Sequence, residues 1–220
     1  MQNNNNKGFS LIELSIVLII IGLLVAGITG GASLIKSAEL RSTMSEIRNY
    51  QTAVNSYYTE KGYLPGTTQG QTDKVNLFAS DASWGELYDA GITDFKATTA
   101  TAGKYVAGTN MPKAKVKGAG YLLGYLATAE TTTGNAVNAN SILLVGSDTT
   151  VGATLDETIA AANLKASTDN KTAKALDDKM DDGLPKTGKM IALKGTCQAT
   201  DAYDTATGGT LCAQAMKIGL

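Results

Sequence analysis

The chain has 220 residues, a formal net charge of −1 and no histidine. That length holds one ordinary domain plus an appendage, and the balanced charge offers no basic field for nucleic acid. The missing histidine removes the commonest general base and most zinc sites, and the abundance of glycine, alanine and threonine after Thr67 suits a loop-rich extracytoplasmic domain better than a dense enzyme core.

Residues 1–8 are polar and carry a single charge, Lys7. Residues 9–28 are apolar apart from Ser10, Glu13 and Ser15. As a helix, such a run spans about 30 Å, the hydrocarbon thickness of a bilayer. A secretory signal peptide or a plain anchor is the simplest reading, and the small residues between Ala26 and Ala32 imitate a cleavage site. Neither reading accounts for Glu13, because a lone carboxylate in lipid costs several kcal/mol.

The stretch Gly8-Phe9-Ser10-Leu11-Ile12-Glu13-Leu14, preceded by Lys7, resembles the class III signal of type IV prepilins and of the pseudopilins of type II secretion. The resemblance covers about the first quarter of the chain. It implies cleavage between Gly8 and Phe9 by a prepilin peptidase on the cytoplasmic side, then N-methylation of Phe9 by the same enzyme. A glycine before the cut lets a protease approach the backbone closely. Glu13 matches the family's acidic assembly residue, whose carboxylate would pair with an N-terminal ammonium of its own or a neighbouring subunit. Lys7 agrees with a cytoplasmic N-terminus.

The helical pattern runs on past the membrane segment. Leu34, Ile35, Ala38, Leu40, Met44, Ile47, Val54 and Tyr58 recur near helical spacing, with charged residues between them. Gly62 is a natural C-cap and Pro65 forbids continuation, so one helix is expected over residues 9–61, spanning the membrane over residues 9–30. Gly22, Gly27, Gly30 and Gly31 lie where many resembling pilins carry a proline. They can weaken the helix locally for assembly or allow close helix packing, and both readings stand.

The rest, residues 62–220, is expected to be a globular head outside the cytoplasm. A short helix is expected over residues 82–90, with Trp84 as a core anchor. Residues 119–127 and 141–145 read as strands, 155–164 and 172–180 as helices, and 190–193 as another strand. Residues 128–140 read as a hairpin or surface loop. No repeat and no second hydrophobic core is evident, so one head domain is expected. The fold class is therefore α+β, and the resemblance implies a pilin-like head of antiparallel sheet resting on the long helix. Gly118-x-Gly120 lacks the spacing of a nucleotide loop.

Asp177, Asp178, Asp181 and Asp182 form an acidic cluster. On a continuing helix, Asp177 and Asp181 share a face, as do Asp178 and Asp182. Some pseudopilins bind calcium in the head, and clustered oxygens suit that ion. Met180 breaks an EF-hand pattern, and Lys174, Lys179 and Lys186 could balance a solvated helix end instead. Calcium at these four residues and a plain solvated turn both stand, with no other cofactor expected. Cys197 and Cys212 enclose a turn-rich loop. In the exported head that the resemblance implies they would form a disulfide, as in many type IV pilins.

Together these features imply a non-enzymatic filament subunit. The expected partners are the prepilin peptidase/methyltransferase, identical or related pilin subunits, the inner membrane, and an inner-membrane assembly platform with a separate ATPase. No specific nucleic acid is expected. A type IV pilus subunit supporting adhesion, motility or DNA uptake is the leading expectation, ahead of a type II secretion pseudopilin and a membrane-anchored binding protein. The final location would be an extracellular pilus, or a periplasmic pseudopilus.

Overall fold

The computed structural model describes residues 10–67, 74–128, 135–151 and 164–219. Its architecture is α+β and pilin-like: a long N-terminal helix followed by a C-terminal antiparallel sheet region. Gly8 and Phe9 lie outside the described residues, as does nearly all of the helix expected over 155–164.

Helix α1 runs over Leu11–Lys61 without a break, straight through Gly22, Gly27, Gly30 and Gly31. Its end is a glycine cap. Gly62 adopts a φ of +79°, its N–H donates to the Tyr58 carbonyl at 2.8 Å, and Pro65 follows within the next turn.

The chain divides into two compact units, Met1–Glu39 and Leu40–Leu220. The boundary falls inside α1, not at Gly62, so residues 40–61 of the helix fold with the head. In the first unit α1 exposes Leu11, Ile12, Leu18, Leu23, Ile28, Leu34 and Ile35. It is the one described helix long and apolar enough to cross a membrane.

In the second unit, α2 covers Ser80–Asp89 and α3 Asn170–Met180. The strands are β1 (Lys104–Tyr105), β2 (Ala119–Thr128), β3 (Ala136–Gly146), β4 (Thr149–Thr150), β5 (Thr168–Asp169), β6 (Met190–Ala192), β7 (Gln198–Ala199), β8 (Ala202–Tyr203), β9 (Thr210–Cys212) and β10 (Gln214–Lys217). The central sheet is antiparallel with order β2-β3-β10-β6. Its register sets Tyr121 opposite Leu144, Met216 opposite Ile142 and Gln214 opposite Ala192. Three two-stranded pairs, β1-β4, β5-β9 and β7-β8, stand beside it, with isolated bridges such as Lys113 to Gly120.

Alternate residues of a strand point to opposite faces. Tyr121, Leu123, Ile142, Leu144 and Met216 meet Ile47, Val54 and Tyr57 of α1 and Trp84 and Leu87 of α2. Leu122, Leu143, Val145, Ile191 and Ala215 pack on the other face against Leu77, Tyr105, Met111 and Leu164. The sheet is thus buried on both faces, with a second hydrophobic layer that the sequence pattern does not mark. The second layer comes from irregular segments with no periodic pattern of their own. Strand β3 also begins at Ala136, five residues before its sequence signal, because Val137 and Asn140 are buried there.

The outer edge of β2 is closed by non-strand partners. Tyr121 N–H donates to the Pro112 carbonyl at 2.9 Å, Leu123 N–H to Ser80 Oγ at 2.7 Å and Tyr125 N–H to the Val75 carbonyl at 2.8 Å. Such closure removes a template for strand addition.

Candidate functional site

The first turn of α1 is capped from both sides, with the Glu13 half of a capping box. Ser10 stands at the N-cap, and its N–H donates to Glu13 Oε2 at 2.9 Å, while Ser10 Oγ accepts the more distant N–H of Ile12 at 3.4 Å. Two backbone donors left open by the helix start are thereby engaged. The carboxylate also lies at the positive end of the helix dipole. Glu13 is therefore held at the helix mouth and does not stand alone among apolar neighbours. The pattern Ser-x-x-Glu would have revealed this role for Ser10, which reading the glutamate by itself overlooks.

Polarity farther along the apolar stretch is hidden internally. Ser15 Oγ donates to the Ile12 carbonyl at 2.9 Å, and Thr29 Oγ1 donates to the Val25 carbonyl at 3.0 Å. A hydroxyl spent on its own helix presents little polarity to lipid or to a neighbouring helix. The four glycines leave open space where a Cβ would stand. This surface can insert in a bilayer or pack against like helices.

The acidic cluster is built differently from its sequence pattern. Helix α3 starts at a cap where Asp169 accepts from Thr172 N–H at 2.9 Å, and it ends at Met180. The chain then turns, so the helical pairing of Asp178 with Asp182 does not arise. Asp177, Asp181 and Asp182 each bring an oxygen within 4.8 Å of the others. Asp178 stands apart, paired with Lys174 at 2.6 Å.

Each of the three grouped carboxylates already accepts protein donors. Asp177 is fully buried and takes Tyr203 OH at 2.8 Å and Gly183 N–H at 3.2 Å. Asp181 takes the N–H groups of Lys189 and Met190. Asp182 takes Leu184 N–H at 2.9 Å and the Thr187 hydroxyl. Burial pushes the Asp177 carboxyl up to about 7, outweighing its two donors, with Asp182 and Asp181 adding to the rise. The Thr187 hydroxyl and Leu184 N–H hold Asp182 below the usual range. The arrangement fastens the 181–190 turn to α3 and to β6.

Cys197 and Cys212 are joined by a disulfide, and both are buried. The enclosed loop has a second fastening. Tyr203 OH, while donating to Asp177, accepts from Gln214 Nε2 at 2.8 Å, and Gln214 also donates to the Ala173 carbonyl at 3.0 Å. A buried chain of hydrogen bonds thus links β10, the disulfide loop and α3. Sequence reading missed Tyr203 and Gln214, since nothing local marks them.

Two further carboxylates tie α1 to the rest of the head. Glu46 accepts from Tyr121 OH at 2.8 Å and from Lys115 N–H at 3.2 Å. Glu86 accepts from Tyr57 OH and from Gly66 N–H, both at 2.9 Å.

Residues 3–29 match the family model of the prokaryotic N-terminal methylation motif. The N-terminus therefore carries that motif, consistent with the class III signal of a type IV prepilin or pseudopilin. Comparison with curated proteins and with solved structures returned no match.

Proposed function

We propose that this chain is the structural subunit of a type IV pilus. A prepilin peptidase cuts it between Gly8 and Phe9 and methylates the new amine of Phe9. The mature chain then polymerises through its apolar helix with Glu13 as the assembly residue, driven by a membrane platform whose ATPase is a separate protein. One observation carries this reading: the methylation motif runs directly into a helix whose apolar surface is bare from Leu11 to Ile35. The glutamate held at the helix mouth supports it. A carboxylate there lies beside the one position where cleavage creates a cation. The disulfide-closed C-terminal loop, a feature of many type IV pilins, favours a pilus over a secretion pseudopilus and fits a head outside the cytoplasm. No catalytic residue enters this function.

Mass spectrometry of the mature chain tests it. The expected N-terminus is N-methylated Phe9; an intact Met1, or a cut near Ala32, overturns the reading. Glu13→Ala is expected to be processed and inserted normally yet to yield little or no sedimentable polymer. A polymer confined to the periplasm would assign the chain to type II secretion instead. The acidic loop serves here as a structural latch, its carboxylates engaged by protein donors. A chelator should leave the melting temperature of the head unchanged, whereas a rise on adding calcium would assign the loop a cation.

A further inference from the structure

Between Asp94 and Glu130 the chain holds five lysines and no acidic residue. Two of the five are engaged: Lys96 stands over the Tyr88 ring at 5.6 Å, and Lys104 pairs with Asp148 at 3.1 Å. Lys113, Lys115 and Lys117 are exposed, and their ammonium groups form no ion pair among the described residues. Their backbone is held firmly. Lys113 bridges to Gly120, Ala114 N–H donates to the Ala119 carbonyl at 2.9 Å, and Lys115 N–H donates to Glu46. Ala114 is buried and Val116 half-buried, so the three lysines stand together on the outer side of the strip that closes β2.

Among the described residues of the same unit, Asp89 and Asp94 are acidic and stand without a partner. Asp89 is the last residue of α2, and Asp94 follows Gly91 and Ile92. Both are exposed and form no hydrogen bond or ion pair among the described residues. Asp89 sits at the negative end of its helix dipole, where a carboxylate is disfavoured until a cation arrives. The lysines and these acids form no ion pair with one another within one subunit. Lys115 is fixed at Glu46, whereas α2 is fixed at Tyr57 through Glu86. Three turns of α1, about 16 Å, separate those two anchor points.

We propose that the Lys113–Lys117 strip of one copy docks on the acidic end of α2, Asp89 and Asp94, of the next copy. The contact rests on the filament reading above and names the surfaces by which neighbouring heads choose their alignment. It is heterologous, joining two different patches, and contacts of that kind repeat into open helical assemblies instead of closing into a dimer. Complementary charge of this sort sets register and partner choice more than it adds affinity. Lysines on a sheet edge also discourage strand addition. Glutamate at the same positions would keep that protection, so charge reversal separates the two roles.

The test uses the full chain expressed with its processing peptidase, with sedimented polymer as the readout and head melting as a check on folding. The triple variant Lys113→Glu/Lys115→Glu/Lys117→Glu should lose about tenfold in polymer, and Asp89→Lys/Asp94→Lys a similar amount. Combining all five changes should restore polymer to within about twofold of the original chain. Recovery in the combined variant also shows that the single sets had not failed through misfolding. The proposal is overturned if the triple variant polymerises normally, or if the combination assembles no better than the triple variant. If duplex DNA binds the original chain, is lost by the triple variant, and polymer is not restored by the combination, the strip serves nucleic acid and the subunit contact is wrong. If the original chain itself forms no polymer, the filament reading fails and takes this contact with it.

Discussion

The two halves of α1 share one backbone geometry and meet opposite surroundings. Leu18 in the first half is 70% exposed, whereas Ile47 in the second is 2% exposed. Helical hydrogen bonds close within the segment, so both halves satisfy their backbone in the same way. Which side chains become buried is decided elsewhere. The first half is apolar all round and awaits a bilayer or other helices. The second half is amphipathic, and its apolar face is covered by the sheet and α2. One continuous element therefore serves two separate assemblies, one within the subunit and one between subunits.

The largest test of that contrast is a pair of truncations. Trp84→Ala empties a fully buried site against Tyr50 and should destabilise the head by about 3–5 kcal/mol. Leu18→Ala removes an exposed side chain and should leave head melting unchanged while weakening polymer formation. Thermal unfolding of the full chain in detergent micelles reads both, and equal effects on melting would erase the distinction between the halves. Next in size is the disulfide. Replacing Cys197 and Cys212 by serine should cost about 3 kcal/mol, in the chain-entropy model for a loop of this length. The helical signal of the first half should persist in micelles after the head has melted.

A smaller effect follows from Asp177, and its sign is definite. Its folded pKa of about 7 lies above the ordinary carboxyl value. The native state therefore holds this proton more tightly than the unfolded chain. The resulting stabilisation is complete below about pH 4 and is lost as pH rises through 7. Asp182 and Asp204 have lowered values and act in the opposite sense, losing their contribution as pH falls. Comparing melting temperatures of the original chain and Asp177→Asn between pH 5 and 8 isolates the first effect. The original chain should lose stability relative to the variant as pH rises, and parallel curves would refute the assignment.

Much of this fold was legible because its signals are local. The long apolar run, Gly62 and Pro65 mark α1 and its end, and the dense apolar stretches around Leu122 and Leu143 mark the central strands. The S-x-x-E pattern around Ser10 was equally readable. The second core layer was not, since Leu77, Tyr105 and Met111 come from segments with no period. Nor could spacing single out Asp177 among four aspartates. The helix stops at Met180, so the i, i+4 rule fails beyond it, and only the fold brings Tyr203 and Gln214 to that carboxyl. Local patterns reveal elements, whereas buried polar networks depend on which elements meet.

The disulfide loop is held at Cys197, Tyr203 and Cys212, all of them buried, while residues 205–210 are exposed. Holding the base of a loop separates its foundation from its rim. Along that rim, the Asp204 carboxylate organises the turn through Ala206 and Thr207. Peptide inserted between Gly208 and Gly209 would displace nothing from the core, which makes this rim a natural place to graft an epitope onto the head.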